Sequence, residues 1–189
     1  MKKYELTAEF IEQWGKKLFR IKALISFGSV EAGELGGYVE KEDNLAQDGD
    51  AWVCDNAWVC DNARVYGNAW VYGDARVYGN ARVCDNVMVC DNAWVCDNAW
   101  VCDDADYLLI GRIGSRFSFT TFFKNKDKGI TVSCGCFLGT IAEFRAKVTD
   151  THGNNKHAKM YNLAADMAEL QILGEEHFDK LNTNKSEPF

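Results

Sequence analysis

Residues 51–104 read, without a gap, AWVCDN AWVCDN ARVYGN AWVYGD ARVYGN ARVCDN VMVCDN AWVCDN AWVCDD. These are nine hexapeptides. Position one is Ala in eight of them, with Val87 the exception, and position three is Val in all nine. Position two is Trp, Arg or Met; position four is Cys or Tyr. Positions one to four alternate with the period of a strand, so Ala and Val point one way and their neighbours the other. Positions five and six, Asp-Asn or Gly-Asn, tolerate left-handed backbone and mark a corner. A corner every six residues suits neither a helix nor a long hairpin. It suits a solenoid whose coils stack as parallel strands around small and branched side chains.

Outside the repeat the pattern changes. Residues 1–27 predict a β-hairpin, with Tyr4–Ile11 and Leu18–Leu24 as strands joined through Trp14-Gly15-Lys16-Lys17. Gly36–Glu42 and Asn44–Asp50 are degenerate units expected to form an entry coil or cap, and the solenoid as a whole is placed at 28–106. Residues 107–175 predict a β-β-β-α-α unit with strands at Tyr107–Ile113, Phe117–Phe123 and Ile130–Cys136. Thr140-Ile141-Ala142-Glu143 is a capping box that starts a helix ending near Gly153. A second helix is expected from about Asn155 to Leu173, with Met160, Leu163, Met167 and Leu170 on one face. Residues 176–189 are expected to be a flexible tail.

Composition narrows the function classes. The chain has 189 residues, 47% of them hydrophobic, and a net charge of −7. An acidic balance argues against direct nucleic-acid binding or attachment to anionic lipid. No apolar run reaches the roughly 18 residues of a membrane span. The start, Met1-Lys2-Lys3-Tyr4-Glu5, lacks the apolar stretch of a secretion signal, so a cytoplasmic location is expected. In that setting the eight cysteines are expected to be thiols.

The repeat resembles that of the hexapeptide-repeat family, whose motif is an aliphatic residue followed four places on by a small one. Val53 and Ala57, Val59 and Ala63, and so on to Val101 and Ala105 match it. The resemblance implies a mainly β fold, a left-handed parallel β-helix with three hexapeptides to each 18-residue coil. At about 4.8 Å per rung, nine units would stand roughly 14 Å tall. The whole arrangement also resembles a group of bacteriophage and prophage proteins with a lead-in segment, a solenoid and a small terminal unit. The stretches carrying that likeness in the terminal unit are Gly114-Ser115-Arg116, Thr120-Thr121-Phe122-Phe123, Cys134 to Thr140 (CGCFLGT) and His152-Gly153. It implies a role in an infected bacterial cell.

With an 18-residue coil, side chains at position two stack in columns: Trp52/Trp70/Met88, Trp58/Arg76/Trp94 and Arg64/Arg82/Trp100. Position four stacks likewise as Cys54/Tyr72/Cys90, Cys60/Tyr78/Cys96 and Tyr66/Cys84/Cys102. Five outward tryptophans are too much apolar surface for a monomer. Trp52, Trp70, Met88 and Trp100 are therefore expected at an interface of a homo-oligomer, and known hexapeptide solenoids imply a trimer. Trp58–Arg76–Trp94 alternates flat rings with a cation, a ladder suited to a planar anion such as a nucleotide. A second anion site is expected in the terminal unit from Arg116, Thr120, Thr121 and Thr140, at a helix start.

Other chemistries fit less well. Hexapeptide acyltransferases, similar in fold, typically use a histidine base near a projecting loop; this repeat has neither. Cys134 and Cys136 share a strand face, but a zinc site would need His152 and His157 as well, and no metal or cofactor is expected. The repeat carries eight Asp and three Arg, net −5; its Asp residues sit at corners, where turn formation accounts for them. Cys84 and Cys102 lie on adjacent rungs, close enough to pair under oxidising conditions. The expected function is non-enzymatic: a rigid oligomer that sequesters a nucleotide-like ligand such as a host immune signal. The alternatives are a scaffold or inhibitor acting on a host protein, and an acyltransferase.

Overall fold

The structure, a computed structural model, describes residues 1–183. The chain divides into two compact units, one of Met1–Asp104 and one beginning at Ala105. The first unit opens with the hairpin β1 (Tyr4–Gln13) and β2 (Lys16–Ala23), followed by β3 (Leu35–Val39). Nine two-residue strands then recur every six residues: β4 (Trp52–Val53), β5 (Trp58–Val59), β6 (Arg64–Val65), β7 (Trp70–Val71), β8 (Arg76–Val77), β9 (Arg82–Val83), β10 (Met88–Val89), β11 (Trp94–Val95) and β12 (Trp100–Val101). Each of the first six pairs in parallel with the strand eighteen residues on, as in Trp52↔Trp70↔Met88 and Trp58↔Arg76↔Trp94. The three faces are the sheets β4-β7-β10, β6-β9-β12 and β1-β2-β3-β5-β8-β11. The chain is thus a β-solenoid.

The inward positions close the core. The valines at position three, from Val53 to Val101, are all fully buried, and the residues at position one are buried with them. Each valine removed from water is worth about 1.5–3 kcal/mol. Small residues beside them let the three faces approach.

The corners explain why the repeat has two unit types. Position five has positive φ in eight units: Asp55, Asp61, Asp85, Asp91 and Asp97 lie between 56° and 60°, and Gly67, Gly73 and Gly79 near 72°. The glycines occupy one complete coil. A Cβ on Gly67 or Gly73 would come within 2.9 Å of the Asp85 or Asp91 amide nitrogen on the next rung. From the rung before, Asp55 and Asp61 accept hydrogen bonds from the Gly73 and Gly79 amides at 3.0 and 3.1 Å. Position six adds a ladder of side-chain amides, with Asn62 to Asn80 at 3.2 Å and Asn68 to Asn86 at 3.0 Å.

Position four alternates Cys and Tyr along two columns. In the third, Cys84 and Cys102 are neighbours and form a disulfide, with Cα atoms 4.6 Å apart. The expectation of eight thiols is corrected: stacking two cysteines on consecutive rungs places their Cα atoms within bridging distance. The other six form no disulfide.

The hairpin covers the solenoid more closely than expected. β2 pairs antiparallel with β3, and β3 pairs in parallel with β5, aligning Tyr38 with Trp58 and Val39 with Val59. Lys3 is buried and donates to the carbonyls of Asp48, Gly49 and Ala51 at 3.3, 3.2 and 2.9 Å. Lys16 forms an ion pair with Asp61 and a second, at 3.4 Å, with Glu40.

The second unit has four strands, one more than expected: β13 (Tyr107–Ile113), β14 (Ser118–Lys124), β15 (Ile130–Cys134) and β16 (Phe137–Thr140), antiparallel in that order. Gly135 at φ 62° turns β15 into β16. Three helices follow: α1 (Ile141–His152), α2 (Lys156–Leu173) and α3 (Glu175–Thr183). Thr140 and Glu143 form the expected capping box, and Gly153 ends α1. α3 stands where the start of a flexible tail was expected; residues 184–189 lie outside the described residues. The core of this unit joins Phe122, Ile130 and Val132 to Phe144, Val148, Tyr161, Ala165 and Ala168.

In α2 the four large apolar residues share one face, and it is the outer one. Its buried face is Ala158, Tyr161, Ala164, Ala165, Ala168 and Ile172, whereas Met160, Leu163, Met167 and Leu170 are exposed. Alanines let a helix approach a sheet closely, so the bulkier stripe is left outside.

Candidate functional site

The tryptophan ladder forms, but its own chain occupies it. The Arg76 guanidinium lies 5.6 Å from the Trp58 ring and 4.7 Å from the Trp94 ring. Trp14, at the hairpin tip, meets Trp58, Tyr78 and Trp94 edge-on at 4.9, 5.0 and 6.2 Å. Trp58 is left 4% exposed, so its faces are not open to a stacked ligand. Trp52 is fully buried beneath Tyr4 and Phe27, at 6.3 and 5.4 Å. It is therefore withdrawn from any interface between chains. Trp70 is half-buried, and Met88 and Trp100 are exposed.

The second unit holds a cavity of about 340 Å³. Its floor is made by the buried residues Cys134, Phe144, Val148 and Tyr161. Around it stand Ser115, Arg116, Cys136, Phe137, Lys147, Thr151 and His152. The volume falls in the range of small-molecule sites. Stretches distant in sequence meet here. The Ser115-Arg116 turn follows β13, Cys134 to Phe137 turn β15 into β16, Lys147 to His152 come from α1, and Tyr161 from α2.

The walls are held from behind. The His152 ring stacks on Tyr161, centroids 5.8 Å apart and planes at 28°. Phe144 touches Phe137 and Tyr161, each at 5.6 Å. Burial, then the Cys134 sulfur, pushes the Tyr161 phenol up to about 12, so it stays protonated at neutral pH. The Arg116 guanidinium packs over Gly135, where a Cβ would collide with it. Arg116 and Lys147 are cations, and none of the residues lining the cavity is a carboxylate. Such a set attracts anions and offers flat rings beside them.

Of the terminal-unit residues expected from sequence, Arg116 reaches the cavity. Thr120 and Thr121 are buried in β14, with the Thr120 hydroxyl 3.2 Å from Cys134 Sγ. Thr140 is committed to its cap: its hydroxyl accepts from the Glu143 amide at 3.3 Å. None of these three lines the cavity, whose walls come from α1, α2 and two turns instead. Lys147, Thr151, His152 and Tyr161 were missed as a group. The i, i+4 and i+5 spacing of Lys147, Thr151 and His152 on one helix was the available signal.

The comparisons bear on the first unit. The family described as YdcK Beta solenoid repeat matches residues 57–73, 69–85, 75–90 and 81–97. This protein is a β-solenoid repeat protein. The match lies wholly within the β-solenoid and stops short of the cavity-bearing unit. No curated protein matches the chain. Among the described residues, no helix is long and apolar enough to cross a membrane.

Proposed function

We propose that this β-solenoid protein binds a planar, anionic ligand of the nucleotide class without turning it over, and that the site is the cavity of its C-terminal unit. The observation carrying this reading is the pairing of Arg116 and Lys147 with aromatic walls in a cavity lined by no carboxylate. A phosphate placed against Arg116 gains a planar, multidentate donor. A base beside Phe137, His152 or Tyr161 gains a stacking surface. The likeness to phage proteins gives the setting, a captured host signal in the bacterial cytoplasm. In this reading the solenoid is a rigid support, with left-handed coils as the hexapeptide resemblance implies. A trimer through its faces would rely on Trp70, Met88 and Trp100.

Retention followed by release tests the proposal. Purified protein is equilibrated with mono-, di- and cyclic nucleotides, filtered, and heat-denatured. Mass spectrometry then identifies what is released. One nucleotide recovered unchanged, and lost with Arg116→Ala, is the expected result. An altered nucleotide would make the protein an enzyme. No retention would overturn the reading and favour the host-protein scaffold, for which the exposed Met88 and Trp100 would be the contact residues.

A further inference from the structure

α2 is apolar on two sides. Its inner face, from Ala158 to Ile172, packs in the core of the second unit. On its outer face Met160, Leu163, Met167 and Leu170 are 38%, 63%, 56% and 45% exposed. A contiguous apolar stripe left on a surface helix marks an interaction site. The outer residues are spaced 3, 4 and 3 apart, the a/d pattern of a coiled-coil seam, and span about 15 Å of helix.

We propose that this stripe is the seam of an antiparallel homodimer, packed against α2 of a second copy. Self-complementarity favours a second copy. Pairing about the midpoint of the stripe sets Met160 against the partner's Leu170 and Leu163 against the partner's Met167, a closed two-fold contact. Charge sets the direction. Lys156 and Lys159 are exposed at the N-terminal end of α2, and Glu175 and Glu176 are exposed just beyond its C-terminal end. Antiparallel packing brings each basic end to the partner's acidic end; parallel packing would set like charges together. The helix dipoles favour the same direction. Near the centre, the half-buried Asp166 is paired with Arg145 at 2.7 Å, which neutralises the acidic group nearest the seam. The proposal does not depend on the cavity or on what fills it.

Sedimentation equilibrium of the full chain, with and without Leu163→Glu, tests it. The expected result is a parent species of twice the Leu163→Glu mass, and a dimer dissociation constant raised more than about tenfold by the variant. Met167→Lys should act in the same way. Both positions are exposed, so circular dichroism should show an unchanged fold, with a melting midpoint lowered only by the loss of association. Mixing Leu163→Glu with Met167→Lys should restore association in part, because one variant's glutamate then faces the other's lysine. A parent that stays monomeric would overturn the proposal, as would variants with the parent's mass. If deleting residues 184–189 converts a monomeric parent to a dimer, the tail covers the stripe and the second-copy assignment fails.

Discussion

Trp14 stands edge-on to Trp58, ring centroids 4.9 Å apart and planes at 87°. The contact joins a hairpin tip to a solenoid face forty-four residues further along the chain. Trp14 and Gly15 both have positive φ, 51° and 75°, as a tight two-residue hairpin turn requires. The turn thus aims an indole at the ladder. This contact buries Trp58 at one end of an outward aromatic column, while Trp14 itself stays 53% exposed.

Trp14→Ala should destabilise the protein by about 1.5–4.5 kcal/mol. It removes three edge contacts, to Trp58, Tyr78 and Trp94, each worth about 0.5–1.5 kcal/mol beyond burial. Urea unfolding checks this, and Trp14→Phe should recover part of the loss. An unchanged midpoint would mean that the tip is not docked.

Lys3 gives a signed pH effect. Burial, partly opposed by Asp48 and Asp50, lowers its ammonium from 10.5 to about 8. Between those values the unfolded chain holds a proton that the folded chain has released, so unfolding takes up a proton and stability rises with pH. Above about 9, Cys54 and Cys60 act oppositely, since burial pushes both thiols up to about 12. The rise should therefore show between pH 8 and 9 and vanish in Lys3→Met. Thermal midpoints across that window decide; a parent and variant with equal slopes would refute it.

Thiol titration of denatured, unreduced protein should find six thiols, and eight after reduction, because Cys84 and Cys102 are bridged. In the native state Cys136 should alkylate first, being exposed. Cys54, Cys60 and Cys96 should lag at pH 8, with burial pushing them up to about 12, 12 and 11. Eight thiols without reductant would contradict the bridge.

The solenoid could be read from sequence because each residue's place follows from its own unit. Val at position three faces the core whatever lies elsewhere, and Asp or Gly at position five sets the corner locally. What covers the outward positions depends on chain far away. Nothing in Trp52 or Trp58 announces that Tyr4, Phe27 and Trp14 will close over them. In α2 the stripe of Met and Leu was legible as one face, but not which face packs: close packing against the sheet selects Ala158, Ala165 and Ala168. β16 was hidden because Gly139 and the helix cap at Thr140 read as a loop. The cavity was half legible: Arg116 stood out as a cation near a turn, whereas Lys147 and Tyr161 join it only once α1 and α2 are packed.

Gly135 tests the cavity without removing any of its functional groups. At φ 62° it occupies a left-handed conformation that a Cβ disfavours, and a Cβ there would also strike the Arg116 guanidinium. Gly153 supplies the control: it too has positive φ, 55°, but a Cβ would meet nothing within 4 Å. Alanine should cost stability through backbone strain, about 1–2 kcal/mol at Gly135 and about 1–3 kcal/mol at Gly153, whose ψ of −122° lies outside the left-handed helical region. Only Gly135→Ala should displace Arg116, and so only it should weaken retention of the nucleotide held by the parent. Isothermal titration of both variants, below their melting temperatures, makes the comparison. Equal affinity in the two variants would show that Arg116 in its present position is not what holds the anion.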